Sequence, residues 1–158
     1  MNSPSQTTLS VSAIKDGTVI DHIAAGSAIR IISLLGLTGV SHTITLGINL
    51  ASKSMGVKDL IKITGHEISE IESKIIAIIA PAATINIVAE YRLIKKFRAE
   101  IPRQITGLFI CPNPGCITNH ERMKTKFGIR YNGHVIHVSC SYCERIFLHT
   151  ELSHAPLV

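Results

Sequence analysis

Tryptophan is absent from the 158 residues, aromatic residues make up 4% of them, and cysteine occurs only four times. No stretch reads as a membrane span, which needs about 20 predominantly apolar residues. The run from Ile23 to Val40 contains Arg30 and three glycines, and the run from Ile75 to Ala89 is interrupted by Pro81. No basic n-region opens the chain, so residues 1–10 are expected to be a flexible arm rather than a secretory signal, and the expected compartment is the cytoplasm. Long basic runs are missing too: none exceeds Lys95-Lys96. The net charge of +5 is spread thinly, ten basic against eight acidic residues over 1–100 and six against three over 101–158. That balance suits ordinary solubility better than a nucleic-acid footprint. A glycine-rich phosphate loop, a Ser/His/Asp or Cys/His arrangement at recognisable spacing, internal repeats and low-complexity tracts are all lacking. A free-standing enzyme therefore finds little support.

The composition that remains is 46% hydrophobic and 17% charged, with a mean hydropathy of +0.31. Such an apolar excess is expected to be core plus a buried subunit interface. The four cysteines fall into two close pairs, Cys111-Pro-Asn-Pro-Gly-Cys116 and Cys140-Ser-Tyr-Cys143. Two short loops of this kind turn four thiolates toward one tetrahedral zinc ion. Disulfides are the competing use, but they need an oxidising compartment. A four-sulfur site is saturated and leaves no position for water or substrate, so the zinc is expected to be structural. His120, His134, His137 and His149 are not needed as ligands, and Lys124, Lys126 and Arg145 would offset the charge of the thiolates.

Along the chain, alternation at Leu9, Val11 and Ala13 predicts a strand, and Lys15–Thr18 a turn around Gly17. Helical spacing of Ala28, Ile31, Ile32 and Leu35 predicts a helix over 24–35 with one wet position, Arg30, and Gly36 as its stop. Ile44, Leu46, Ile48 and Leu50 alternate with Thr43, Thr45, Gly47 and Asn49, the pattern of a half-buried strand; another strand is expected over 57–63. Ser69 and Glu72 have capping-box spacing before the stripe Ile68, Ile71, Ile75, Ile78 and Ile79, which Pro81 ends. Residues 84–91 are strand-like, with a possible extra strand after them. The expected N-terminal domain, 11–100, is an α+β, ferredoxin-like antiparallel sheet with two helices on one face. Residues 97–103 are read as its connection to a small β-rich, four-cysteine zinc domain over 101–158. There a hairpin over 125–131 and 135–139 turns at Asn132-Gly133, and 145–149 adds a closing strand. About fifty residues bury too little apolar area to stand unaided, so the metal is expected to hold this domain together.

The segments Ala13-Ile14-Lys15-x-Gly17-Thr18-Val19-Ile20-Asp21-His22-Ile23 and Met55-Gly56-x-Lys58-Asp59-Leu60-Ile61-Lys62-Ile63, with Ala80-Pro81-x-Ala83-Thr84-x-Asn86 and the two cysteine pairs, closely resemble the regulatory chain of aspartate carbamoyltransferase. The likeness runs in order from about Val11 to Phe147. It implies a non-catalytic subunit whose N-terminal domain binds ATP as activator and CTP, with UTP, as inhibitor. Its zinc domain would dock on separate catalytic chains of pyrimidine synthesis, and a second regulatory chain would pair through the N-terminal domain. The assembly typical of the family holds six catalytic and six regulatory chains.

Carried over by position, the resemblance implies a nucleotide pocket at Val11, Ser12, Ile14, Val19, Asp21, His22, Lys62, Asn86, Val88, Tyr91, Leu93 and Lys96. Lys62 and Lys96 supply point charges for a triphosphate. Asp21 can accept from ribose hydroxyls, backbone near Ser12 and Tyr91 can read a base edge, and His22 is a phosphate or base neighbour. Ordinary readings stand beside these: solvated lysines, a helix-capping Asp21, a turn or edge Asn86. Ser12 departs from the acidic residue of several relatives, and Phe97 from an expected small residue. The alternative is a zinc-ribbon nucleic-acid-binding protein, which shares the two cysteine pairs. It leaves the apolar N-terminal half unexplained, and the cysteine region lacks interleaved aromatic and basic residues.

Overall fold

The computed structural model describes residues 13–39 and 41–155. The expected strand around Leu9 and Val11 lies outside them, and Ala13 and Ile14 are irregular. Strand β1 is Gly17–Ala24, so residues 17 and 18, read above as a turn, belong to a strand. The reason is non-local: Gly17 pairs with Thr64 on one side and Val88 on the other. Gly17 has φ +137°, and a Cβ there would collide with the carbonyl oxygen of Ile63. The residue is needed both for its backbone angle and for the closeness of the neighbouring strand.

Helix α1 spans Ala28–Leu34 and is shorter than its apolar period suggested. Strand β1 continues to Ala24, and the carboxylate of Asp59 takes the Gly26 and Ala28 N–H groups at 2.8 and 3.2 Å. Ala28, Ile31, Ile32 and Leu34 are buried, and Gly36, with φ +64°, follows the helix end as expected. Strands β2, Ile44–Ser52, and β3, Gly56–Thr64, form a hairpin. The alternation in β2 does not mark a half-buried strand. Leu46 and Ile48 are exposed because β2 is the sheet edge, and a bulge between Gly47 and Leu50, with Asn49 at φ +57°, breaks the period.

Helix α2, Glu70–Ile79, starts with the expected capping box: Ser69 Oγ accepts from the Glu72 N–H at 3.3 Å, and Glu72 Oε2 accepts from the Ser69 N–H at 2.7 Å. Replacing Ser69 with alanine should lower stability by about 1 kcal/mol; an unmoved urea midpoint would count against the cap. Ile68, Ile75, Ile78 and Ile79 are buried as expected, but Ile71 is exposed and Ile76 and Ala77 are buried instead. The last turn of α2 is covered beyond one stripe, since the helix joins the isoleucine core and meets both α1 and the 3-10 turn His149–Glu151.

Strand β4, Thr84–Ala89, turns through Glu90 and Tyr91, both at positive φ, into β5, Arg92–Arg98. The segment read as a connection therefore begins inside a strand: Phe97 pairs with Ile85 and Arg98 with Thr84. The sheet order is β2-β3-β1-β4-β5, and every pairing is antiparallel. Each helix connects two strands that are not neighbours in the sheet, α1 from β1 to β2 and α2 from β3 to β4, which is the ferredoxin-like α+β arrangement with one strand, β5, added at the edge. Ile20, Ile23, Ile61, Ile63 and Ile85 are fully buried on the helix side.

After residue 103 the elements shorten. Strands β6 (Gln104–Thr106), β8 (Lys126–Tyr131), β9 (Ile136–Cys140) and β10 (Ile146–Leu148) form a sheet in the order β10-β9-β8-β6. β7 (Phe109–Ile110) pairs with β11 (Ser153–His154). The β8–β9 hairpin turns at Asn132-Gly133, where Asn132 Oδ1 accepts from the N–H groups of His134 and Val135. Among the described residues, the large fully buried side chains here are Phe109, Phe127, Ile136 and Val138, a small core next to the isoleucine cluster of the first sheet.

Candidate functional site

The cysteine cage is built by two tight turns. In the first, Asn113 Oδ1 accepts from the Gly115 N–H, and Asn119 Nδ2 donates to the carbonyls of Cys111 and Asn113 at 3.0 and 2.7 Å. In the second, the Cys140 N–H reaches the Arg145 carbonyl and the Glu144 N–H returns to the Cys140 carbonyl, with Glu144 at φ +59°. Cys111, Cys116 and Cys140 are buried and Cys143 is partly so. Their four sulfur atoms lie within 4.8 Å of one another, and among the described residues they form the cluster suited to a metal ion.

The Cys111–Cys143 and Cys116–Cys140 sulfur pairs are 3.7 and 3.8 Å apart. Tetrahedral zinc with sulfur bonds of about 2.3 Å separates its ligands by about 3.8 Å, so the cage fits the ion. His120 is not a ligand; its Nε2 contacts the Pro114 carbonyl at 2.9 Å. Burial opposes ionisation of Cys116, but the Thr118 hydroxyl, 3.2 Å from its sulfur, and the Thr118 backbone bring the thiol down to about 7. Burial pushes Cys111 and Cys140 up. When bound, the cation supplies the charge that four adjacent thiolates require. The centre is a structural zinc site.

Of the residues proposed for nucleotide contact, Val19, Asp21, His22, Lys62, Asn86, Val88, Leu93 and Lys96 sit on strands of the first sheet. Cross-strand register places Lys62 of β3, Val19 of β1, Asn86 of β4 and Lys96 of β5 in one row. Asp21 lies two residues along β1 from Val19, and Val88 pairs with Leu93 beside the row. Lys62 is only 9% exposed, which overturns the solvated-lysine reading, and burial lowers its pKa. Asn86 is no mere turn residue; its Nδ2 donates to the Val19 carbonyl at 3.1 Å.

Asp21 caps no helix. Burial works against its charge, yet the Lys58 ammonium at 2.8 Å and the His22 N–H at 2.7 Å win, holding the carboxyl below its ordinary value. His22 occupies the β1 bulge at φ +56°, and its Nδ1 is 3.2 Å from the Thr84 hydroxyl. Tyr91 and Leu93 are exposed at the β4–β5 turn and edge. Ile14 is described but belongs to no strand, and Val11 and Ser12 lie outside the described residues. Phe97 alternates with Lys96 and packs against the core, so it does not enter the row. Sequence reasoning gave no role to Lys58 or Asp59; an aspartate inside an otherwise strand-like run was the available signal.

Fold and cage together define a two-module α+β protein with a metal-clasped C-terminal sheet. The profile for the aspartate carbamoyltransferase regulatory chain, allosteric domain, matches residues 9–100, and that for the metal binding domain of the same chain matches 103–153. Relatives described as aspartate carbamoyltransferase regulatory chains include that of Pyrococcus horikoshii, 44% identical over 146 residues (91% of this chain and 95% of the relative). That of Chromobacterium violaceum is 39% identical over 142 residues, 90% and 93% of the two chains. The chain belongs to the aspartate carbamoyltransferase regulatory chain family, a family of non-catalytic chains. The matches favour this over the nucleic-acid-binding zinc ribbon.

Proposed function

We propose that this chain is the allosteric regulatory subunit of an aspartate carbamoyltransferase in cytoplasmic pyrimidine synthesis. ATP, CTP and UTP would bind the open face of the five-stranded sheet, and the zinc module would dock on the catalytic chains. The proposed division is an arm over 1–10, an effector domain over 11–100 and the zinc domain over 101–158. The single observation that supports the nucleotide reading is the row Lys62–Val19–Asn86–Lys96. Strands lie about 4.8 Å apart, so the two lysine backbones are about 14 Å apart, and their long stems converge over the middle strands on a chain of phosphates. A second regulatory chain would cover edge strand β2, where Leu46 and Ile48 are exposed, since a bare apolar edge invites pairing.

Lys62→Ala and Lys96→Ala should each weaken CTP binding by about tenfold to a hundredfold, as expected for loss of a hydrogen-bonded charge worth roughly 1.5–3 kcal/mol, and leave assembly intact. Unchanged affinity in titration calorimetry would remove these lysines from the pocket. Co-purification with catalytic chains tests the subunit role itself.

A further inference from the structure

The two sheets are joined by a polar clasp that neither the cysteine cage nor the lysine row uses. Arg30, on α1, donates from Nη2 to the carbonyls of His149 at 2.6 Å and Leu152 at 2.8 Å. The first carbonyl belongs to the 3-10 turn His149–Glu151 and the second follows it, on the way from β10 to β11. Arg30 was expected to be a wet position, yet its guanidinium is spent on a chain segment 119 residues away.

The other end of α1 is fastened as well. Asp59 is fully buried in β3. Its Oδ2 accepts from the Gly26 and Ala28 N–H groups that open α1, and its Oδ1 accepts from the Asn49 N–H at 3.0 Å in the bulge of β2. The same strand carries Lys58, paired with Asp21, and Lys62. A continuous set of contacts therefore runs from the open sheet face through β3 and Asp59 to α1, and through Arg30 to the turn after β10. β10 pairs with β9, which ends at Cys140.

One feature of the clasp is incomplete. His149 Nδ1 is buried without a hydrogen-bond partner among the described residues. The same imidazole is engaged by the backbone of Ile136, so the clasp also touches β9, the strand that ends at Cys140.

We infer that Arg30 is a positioning residue that couples the two modules: its grip on the His149 and Leu152 carbonyls transmits the state of the effector sheet to the zinc module. The inference rests on the nucleotide-binding reading above. Both sites bias one element, α1 with its clasp, which is the physical requirement for coupling.

The test uses the holoenzyme formed with the cognate catalytic chains, comparing wild type, R30M and R30K. R30M should bind CTP within about twofold of wild type by calorimetry and retain its zinc and its assembly. The CTP-induced shift in half-saturating aspartate should shrink by about fivefold or more, within the usual range of allosteric coupling. R30K keeps the charge without the planar fork and should give an intermediate shift. If wild type and R30M respond equally, the coupling role is overturned while the nucleotide reading stands. If wild type binds no nucleotide, both fall. Should R30M fail to assemble, R30K decides alone: an undiminished response overturns the inference.

Discussion

Stripping the metal, by a mercurial or by Cys140→Ser, is expected to unfold residues 104–154 while the five-stranded sheet stays folded. Among the described residues, the C-terminal module has only four fully buried large side chains, Phe109, Phe127, Ile136 and Val138, and its strands are two to six residues long. A core of that size does not offset the conformational entropy of some fifty residues. Structural zinc contributes on the order of 10–16 kcal/mol, and three of its four ligands are buried between the turns they fasten. Amide exchange is the measurement. Loss of protection in β8 and β9, with β1 and β3 still protected, is the expected pattern. Retained protection in β8 and β9 after the metal has left would show that the cage is incidental to folding. Binding to catalytic chains should vanish with the module.

Asp59→Ala should be the most damaging single change in the first sheet. The carboxylate has no exposed surface and accepts three backbone N–H groups. Removing it leaves the Ala28 N–H buried without a partner, at about 1–3 kcal/mol, and takes a charged acceptor from the Gly26 and Asn49 N–H groups, which sit on exposed residues. A loss of about 3–6 kcal/mol is comparable with the whole stability of many domains. Asp59→Asn, which retains one carbonyl oxygen, should cost less. Urea unfolding followed on the zinc-loaded chain measures both. A loss below about 1 kcal/mol for Asp59→Ala would mean that the turn before α1 and the β2 bulge satisfy themselves some other way.

Local chemistry explains what was readable beforehand. The capping box at Ser69 and Glu72, the stop at Pro81 and the Asn132-Gly133 turn depend on residues within a few positions of one another, so their spacing carried over into structure. The cysteine pairs did likewise, because each turn presets two ligands and the ion selects the geometry. The misjudged elements all depend on distant partners. Gly17 and Thr18 became strand because β3 and β4 flank them. Ile71 was left exposed while Ile76 was covered, because α2 meets α1 and the distant 3-10 turn as well as the core. The alternation of β2 placed its residues on faces without revealing that the strand lies at an edge.

The amino-acid order by itself determined the two-part division of chemistry, four thiols in one part and none in the other, and the family likeness that names a pocket. Only the tertiary structure decided that Lys62, Val19, Asn86 and Lys96, spread over 78 positions (19–96), fall in one register across four strands. It also decided that Arg30 reaches the far module and that Asp59 holds three separate segments. Backbone pairing and burial bring these groups together over distances that no periodicity encodes, because register is set by neighbouring strands and not by the residues that end up side by side.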